Sequence, residues 1–472
     1  MNWQLLNVEL AVCGWILLLL VADLCSPPAR KSLLWGLSLA GIVVFAAVLL
    51  CQQMHGIHGT FQQMVVIDGF GGYFKGLFLL TTAVVMIMTR EFHPHLPADV
   101  GAFYLLLLSA LLGMLVLASI NDLLMLFLGL ELLTFSLYIM AAYVKTDARS
   151  VEAGMKYLIM GSVSSGFLVY GIALLYGFAG STSFSAIRDA LSHGTIPLTA
   201  QAGLLLILAG LGFKVAAVPF HLWVPDVYEG APTPVVALLS VGSKMAGVVA
   251  ILRVLYGVFL PMAWLWTNLL AILSAATMLY GNLAAIPQTN IKRLLGYSSI
   301  GHAGYLLMGL STGSVAGVNA VAYYLLAYLF SNLTVFLAVI AASDALGGEA
   351  LSDYNGLSKR SGLLAAAMFI GLLSLAGVPP LAGFVGKLLV LLRTVESQRL
   401  WLVAIGAVNV AISLYYYLMV VKRMYLDPPR TNTPISVHPL TKTALAFLVL
   451  GIIIVGTFQE PFIKLILRAS PY

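Results

Sequence analysis

Four charged side chains stand where charge is costly. Glu131 lies in LLMLFLGLELLTFSLYIM, Lys214 in LAGLGFKVAAVPF, Lys244 in LLSVGSKMAGVVA and Lys387 in LAGFVGKLLVLL. A charge at the centre of an apolar membrane helix costs about 2.5–3.5 kcal/mol. One such residue could be a structural ion pair or a snorkelling chain; four together point to a task. The chemistry they suit is proton transfer. Desolvation disfavours the charge of a lysine, and a nearby carboxylate favours it. Lys214 beside Glu131 would hold its proton, and would release it when Glu131 withdrew or another cation approached. Further lysines would extend the relay sideways from helix to helix. With only one central carboxylate, the set is poorly suited to a bare metal cation, and no metal site is expected.

Polar neighbours recur at helical spacing. Glu131, Thr134 and Tyr138 share a face, as do Ser240 and Lys244. Ser298, His302 and Tyr305 line a third face, Tyr324, Tyr328 and Ser331 a fourth, and Asn409, Ser413 and Tyr416 a fifth. Such stripes can hold water and hydrogen bonds through a bilayer. His302 titrates near neutral pH when unperturbed, which suits a relay. The tyrosines taken alone read as packing and interfacial belt.

The elements that must position these residues are membrane helices. Of 472 residues, 61% are apolar and only 9% charged, against about a quarter charged in soluble domains. Mean hydropathy is +1.00. That excludes a soluble enzyme and a nucleic-acid binder, and the absence of polar–apolar alternation excludes an outer-membrane barrel. The net charge of +6 is scattered between apolar runs and forms no patch. Cys13, Cys25 and Cys51 form no C-x-x-C pair and read as small hydrophobes. No basic stretch precedes the apolar N-terminus, so no cleaved signal peptide is expected.

Apolar runs divide the chain into fourteen segments, at about 4–24, 33–52, 72–90, 101–119, 122–144, 154–179, 201–220, 233–257, 263–285, 294–311, 315–342, 362–394, 399–425 and 440–462. With the N-terminus placed outside, inner loops collect fourteen Lys and Arg, including Arg30, Lys31, Lys292 and Arg293. Outer positions collect seven: Lys75, Arg188, Arg253, Arg393, Arg399, Lys464 and Arg468. Short loops rich in Lys and Arg stay cytoplasmic, so both termini are expected on the outer face.

Proline breaks two segments. Pro219 interrupts the seventh and Pro379-Pro380 the twelfth, each near a buried lysine. Broken helices at membrane depth are tolerated where they line a cavity. The breaks are five segments apart, which suggests a duplicated five-helix unit. An odd number of helices makes the copies inverted. The expected organisation is a three-helix segment (1–95), a first repeat (96–260), a second repeat (261–428) and a last helix (429–472).

Three stretches carry a resemblance. GFKVAAVPFHLWVPDVYEGAPTPVVALLSVGSK (212–244), QTNIKRLLGYSSIGHAGYLLMGL (288–310) and LSLAGVPPLAGFVGK (373–387) resemble the antiporter-like subunits of respiratory complex I. The resemblance covers about residues 60–425. It is nearest to the N-type subunits of bacterial NADH-quinone oxidoreductase, because Lys387 stands where the M type carries Glu and no long lateral helix follows the fourteenth segment. It implies an all-α polytopic protein of fourteen helices with two inverted five-helix repeats and broken helices 7 and 12. It also implies proton translocation through Glu131, Lys214, Lys244 and Lys387, driven by quinone reduction in other subunits. His302 and Lys292 match its tenth-helix motif and are implied in linking or cytoplasmic uptake. His221 and Asp226 match the motif after the seventh-helix break, as structural support.

The resemblance implies further membrane subunits as partners and a place in the bacterial inner membrane. FMN, iron–sulfur clusters and quinone would sit on those other subunits. On this chain no cofactor site is expected, since it has no G-x-G-x-x-G before a helix and no cysteine cluster. Enzyme activity would belong to the complex. The competing readings are a subunit of a multisubunit cation/proton antiporter, a ferredoxin- or hydrogenase-linked redox pump, and a purely structural membrane subunit.

Overall fold

The computed structural model describes residues 3–27, 33–96, 100–193, 195–431 and 433–470. Arg30 and Lys31, counted above among inner-loop charges, lie outside the described residues. Helices dominate. The first crossings are α1 (Asn7–Cys25), α2 (Leu33–Met54), α3 (Gly69–Phe92), α4 (Val100–Ala118), α5 (Leu123–Ala141) and α6 (Ala148–Ala179). A short helix, α7 (Phe184–Ser192), leads to α8 (Leu198–Val215) and α9 (Trp223–Gly230), the two halves of the broken seventh crossing. The eighth is α10 (Thr233–Leu238) and α11 (Lys244–Gly257), joined by a π-helical turn over Leu239–Ser243.

The ninth to eleventh crossings are α12 (Ala263–Ala285), α13 (Ile291–Ser311) and α14 (Val315–Leu346). A single turn, α15 (Leu357–Arg360), precedes the broken twelfth, α16 (Gly362–Ala376) and α17 (Ala382–Glu396). Next come α18 (Leu400–Tyr425), α19 (Pro439–Thr457) and a short α20 (Gln459–Ala469). Among the described residues, twelve helices are long and apolar enough to cross a membrane. The charged α13 and the split α16–α17 complete fourteen. The one sheet among the described residues is a hairpin between α2 and α3, Gly59–Phe61 paired antiparallel with Val65–Ile67.

Caps explain several boundaries. Asp68, Asp122 and Asp147 each accept a backbone N–H of the following first turn, the stabilising arrangement for an N-cap. Because Asp147 starts α6, the sixth crossing begins six residues before the apolar run at 154. The two breaks follow from proline, which has no N–H to donate and clashes with the preceding turn. After α8 the chain turns at Ala216 (φ 63°), and after α16 at Gly377 (φ 91°).

Packing repeats along the chain. In the first set α4 packs on α5, α5 on α6, α6 on α8 and α8 on α11, and α11 returns to α4. In the second set α12 packs on α13, α13 on α14, α14 on α16 and α17, and these on α18, which returns to α12. Each set has five crossings with its fourth one broken, so the second starts on the opposite side of the membrane from the first. At the centre, α10, α11, α13 and α14 are buried almost throughout.

Two of the charges counted at outer positions are buried in the bundle. Lys75 is in the second turn of α3, 2% exposed, with its Nζ 2.6 Å from Glu9 of α1. Arg253 is buried in α11, where it donates to Asp68 at 2.7 Å and to the Ala118 carbonyl at 2.8–3.0 Å. In each case a carboxylate on a neighbouring element, far away in sequence, makes burial of the cation affordable.

Candidate functional site

The broken crossings carry two of the four charges. Lys214 occupies the last turn of α8 before the break, and Lys387 the second turn of α17 after the break. Lys244 is the first α-helical residue after the π-turn of the eighth crossing. Such turns free backbone groups and gather at functional sites, and this one has no proline or glycine pair to announce it. Glu131 lies mid-helix in α5. The three lysines are at most 4% exposed, while Glu131 is partly exposed along the seam between α5 and α6.

Lys214 and Glu131 make no ion pair within 4.0 Å. Lys214 Nζ donates to Thr134 Oγ1 at 3.0 Å and to the Tyr157 hydroxyl at 3.4 Å. Glu131 accepts from Ser165 of α6. Both groups line one cavity of ≈20 Å³ with Thr134, Tyr138 and Ser165, room for about one water. Thr134 and Tyr138 therefore belong to the Glu131 face as the spacing expects. Ser165 and Tyr157 were not legible, since nothing in α6 marks one serine or tyrosine among several.

Lys244 reaches across to α13. Its Nζ donates to the Ser299 carbonyl at 2.5 Å and to the Ser299 hydroxyl, which also meets Tyr228 at 3.1 Å. Ser240, on the same helical face, bonds Tyr328 at 2.9 Å and Asn332 at 3.0 Å. Tyr328 in turn packs its ring 5.0 Å from that of His302.

His302 is the hub of the second set. Its Nδ1 meets the Tyr324 hydroxyl at 2.5 Å and its Nε2 the Tyr417 hydroxyl at 3.1 Å, and Tyr417 also bonds Ser298. Tyr324 leads on to Tyr305, with ring centres 6.2 Å apart, and Lys387 Nζ stands 5.0 Å over the Tyr305 ring. Lys387 donates to the Ala376 carbonyl at 2.9 Å, an acceptor freed by the break. Tyr416 bonds Asn282 at 3.0 Å, and Asn282 bonds Asn409 at 2.9 Å. The polar groups thus form two clusters, one of Glu131, Thr134, Tyr157 and Lys214, the other of Ser240, Tyr328, His302, Tyr324 and Tyr417 with Lys244 and Lys387 nearby.

The remaining expected residues lie toward the ends. Lys292 Nζ donates to Glu349 at 2.8 Å and to the Ala231 carbonyl at 3.1 Å. It lines a cavity of ≈810 Å³ with Asp147, Glu229, Asp344 and Glu349. Its walls come from loops and the helix ends beside them, at the end of the bundle away from the two termini. Asp226 holds Lys156 at 2.7 Å and Arg293 at 2.8 Å, tying α9 to α6 and α13. His221 is buried edge-on to Tyr280, with ring centres 4.3 Å apart. Among the described residues no cluster of His, Cys, Asp or Glu could hold a metal ion.

Known proteins share this fold. The family described as NADH:quinone oxidoreductase/Mrp antiporter, TM matches residues 120–413. NADH-quinone oxidoreductase subunit N of Moorella thermoacetica is 42% identical over 461 residues, 98% of this chain and 96% of that protein. This chain belongs to the NADH-quinone oxidoreductase subunit N family. A chain of respiratory complex I from Thermus thermophilus superposes with a TM-score of 0.82 at 31% identity, covering 97% of this chain and 98% of that one. A chain of the Mrp complex from Dietzia shares the fold with a TM-score of 0.86 at 20% identity, covering 100% of this chain and 97% of that one. The residues matched by the family model include Glu131, Lys214, Lys244 and Lys387.

Proposed function

We propose that the chain is a membrane-arm subunit of an NADH:quinone oxidoreductase and moves protons across the membrane. Glu131, Lys214, Lys244 and Lys387 carry the proton, with His302, Lys292, His221, Tyr324 and Tyr416 in support. The observation that carries this reading is the set of three lysines buried in the bundle, each held by hydroxyls or a backbone carbonyl, with His302 between two tyrosine hydroxyls. A lysine can give up its proton, and serine, threonine and tyrosine hydroxyls both donate and accept. The cavity beside Lys292 serves as the mouth on the cytoplasmic side, and both termini lie on the outer, periplasmic face of the inner membrane. Functional units follow the packing: 1–95, the repeats 96–260 and 261–428, and 429–472.

The chain does no redox chemistry of its own. FMN, iron–sulfur clusters and quinone belong to other subunits of the complex, and the fit to further membrane subunits is through the lipid-exposed helix faces. Quinone reduction elsewhere would shift the balance between Glu131 and Lys214. Because these share a water-sized cavity without an ion pair, a small displacement would change how strongly the lysine feels the carboxylate.

The likeness to an Mrp complex chain leaves a second reading, a cation/proton antiporter subunit with the same buried residues and no redox partner. Purifying the tagged chain in gentle detergent separates the two. Co-purification of flavin and iron–sulfur subunits with NADH:quinone reductase activity supports the first. Co-purification of small hydrophobic subunits alone, without that activity, supports the second.

A further inference from the structure

A groove of ≈340 Å³ lies at the terminal end of the bundle, between the start of α14, the end of α17 and the short α20. Its volume falls at the lower end of the roughly 300–1,000 Å³ of small-molecule sites. Ala316, Ala320, Ile463 and Ile466 make the walls apolar. Two polar groups in it are unspent. The Asn319 side-chain oxygen is buried with no hydrogen-bond donor. Arg393 gives one N–H to Glu396 at 2.6 Å, and its Nε and Nη2 have no acceptor among the described residues. A guanidinium edge of this kind matches a phosphate oxygen pair.

The third wall fixes the depth. α20 buries Ile466, yet leaves Leu465 53% and Leu467 55% exposed. Its charged Lys464 and Glu460 pair on the exposed surface at 2.6 Å. A short amphipathic helix of this kind lies along a membrane interface, at the level of the headgroups. The groove therefore opens where phosphates meet acyl chains.

We propose that this groove holds one phospholipid of the surrounding leaflet. The phosphodiester sits on Arg393, a headgroup hydroxyl or ammonium donates to the Asn319 oxygen, and an acyl chain runs along Ala316, Ala320 and Ile466. The three requirements together — an anion, a donor and an apolar chain — describe a phospholipid better than a quinone, which carries no anion, or a partner helix, which carries no phosphate. The lipid would wedge α20 against α14 and α17.

The test is photolabelling of the assembled complex in vesicles containing phosphatidylglycerol with a diazirine on one acyl chain. Labelled peptides are mapped by mass spectrometry. The expected result is label on 315–323 and 459–469 in the wild type. That label should be lost in Ala316→Trp, which fills the groove, and weakened in Arg393→Gln, with label on the exposed faces of α1 and α2 unchanged. Equal groove labelling in wild type and Ala316→Trp would overturn the proposal. So would a groove that takes no label because another subunit covers it. Arg393→Lys keeps the charge without the fork, and should retain more label than Arg393→Gln.

Discussion

Lys214 and Glu131 share a cavity of ≈20 Å³ but do not touch: the lysine is held by Thr134 at 3.0 Å, and the carboxylate by Ser165 of α6. Their coupling thus runs through a hydroxyl and space for one water. Glu131→Gln or Lys214→Met should sharply lower proton pumping in a fully assembled complex. Pumping and reductase activity are measured together in vesicles. Wild-type pumping in assembled Glu131→Gln would end the relay reading.

Thr134 holds Lys214 in that cavity. Thr134→Val keeps the shape and removes the hydroxyl, and should cost about 1 kcal/mol of stability. Its larger effect should be on pumping, with Thr134→Ser restoring it. Equal pumping in the Val and Ser variants would show that Thr134 only packs.

Lys387 stands over the Tyr305 ring and donates to a carbonyl freed by the helix break. Lys387→Arg keeps the cation but cannot deprotonate. Pumping in this variant should fall nearly as far as in Lys387→Ala. Full activity with Arg would mean that the residue supplies charge alone.

Gly377 sits at φ 91°, and a Cβ there would stand 3.0 Å from Lys387 Cδ. Gly377→Ala should cost about 1–2 kcal/mol for the left-handed backbone and displace the lysine stem. Thermal stability of the complex and pumping should both fall. A loss of stability with pumping intact would separate the turn from the lysine.

Asp68 caps α3 and holds Arg253. Burial pushes its carboxyl up, but the Arg253 guanidinium and the Gly71 N–H more than offset this and hold it below the usual range. A depressed carboxyl adds stability above its unfolded value near ~3.9, and that stability is lost as pH falls through the folded value. Thermal stability of the wild type should therefore drop below about pH 4, with this part of the drop absent in Asp68→Asn. At neutral pH that variant should already be less stable by about 3 kcal/mol, the low end for a broken buried pair, because the Asp68 side chain is 22% exposed. Identical acid profiles in the two proteins would remove Asp68 from the account.

Much was legible in the chain because a bilayer is a severe solvent. It forces apolar runs about twenty residues long, makes each buried charge conspicuous, and turns proline into a visible break. Glu131, Lys214, Lys244, Lys387 and both broken crossings stood out for those reasons. What periodicity could not give was the partner of each polar face. Tyr324, Tyr328 and Ser331 share one stripe on α14, yet they bond His302, Ser240 and Ser374 on three different helices. Tyr417, Asn282, Ser299 and Ser165 carried no mark in the sequence, because a single hydroxyl or amide is cheap enough in a helix to occur anywhere. The burial of Lys75 and Arg253 was not legible, because the carboxylates that hold them are remote in sequence. The residue types and their 3.6-residue spacing determined which runs cross the bilayer and which polar groups share a helix face. Only the packing of fourteen crossings decided which of them meet, since hydrogen bonds act over about 3 Å and the order of helices around the bundle is not written in any one of them.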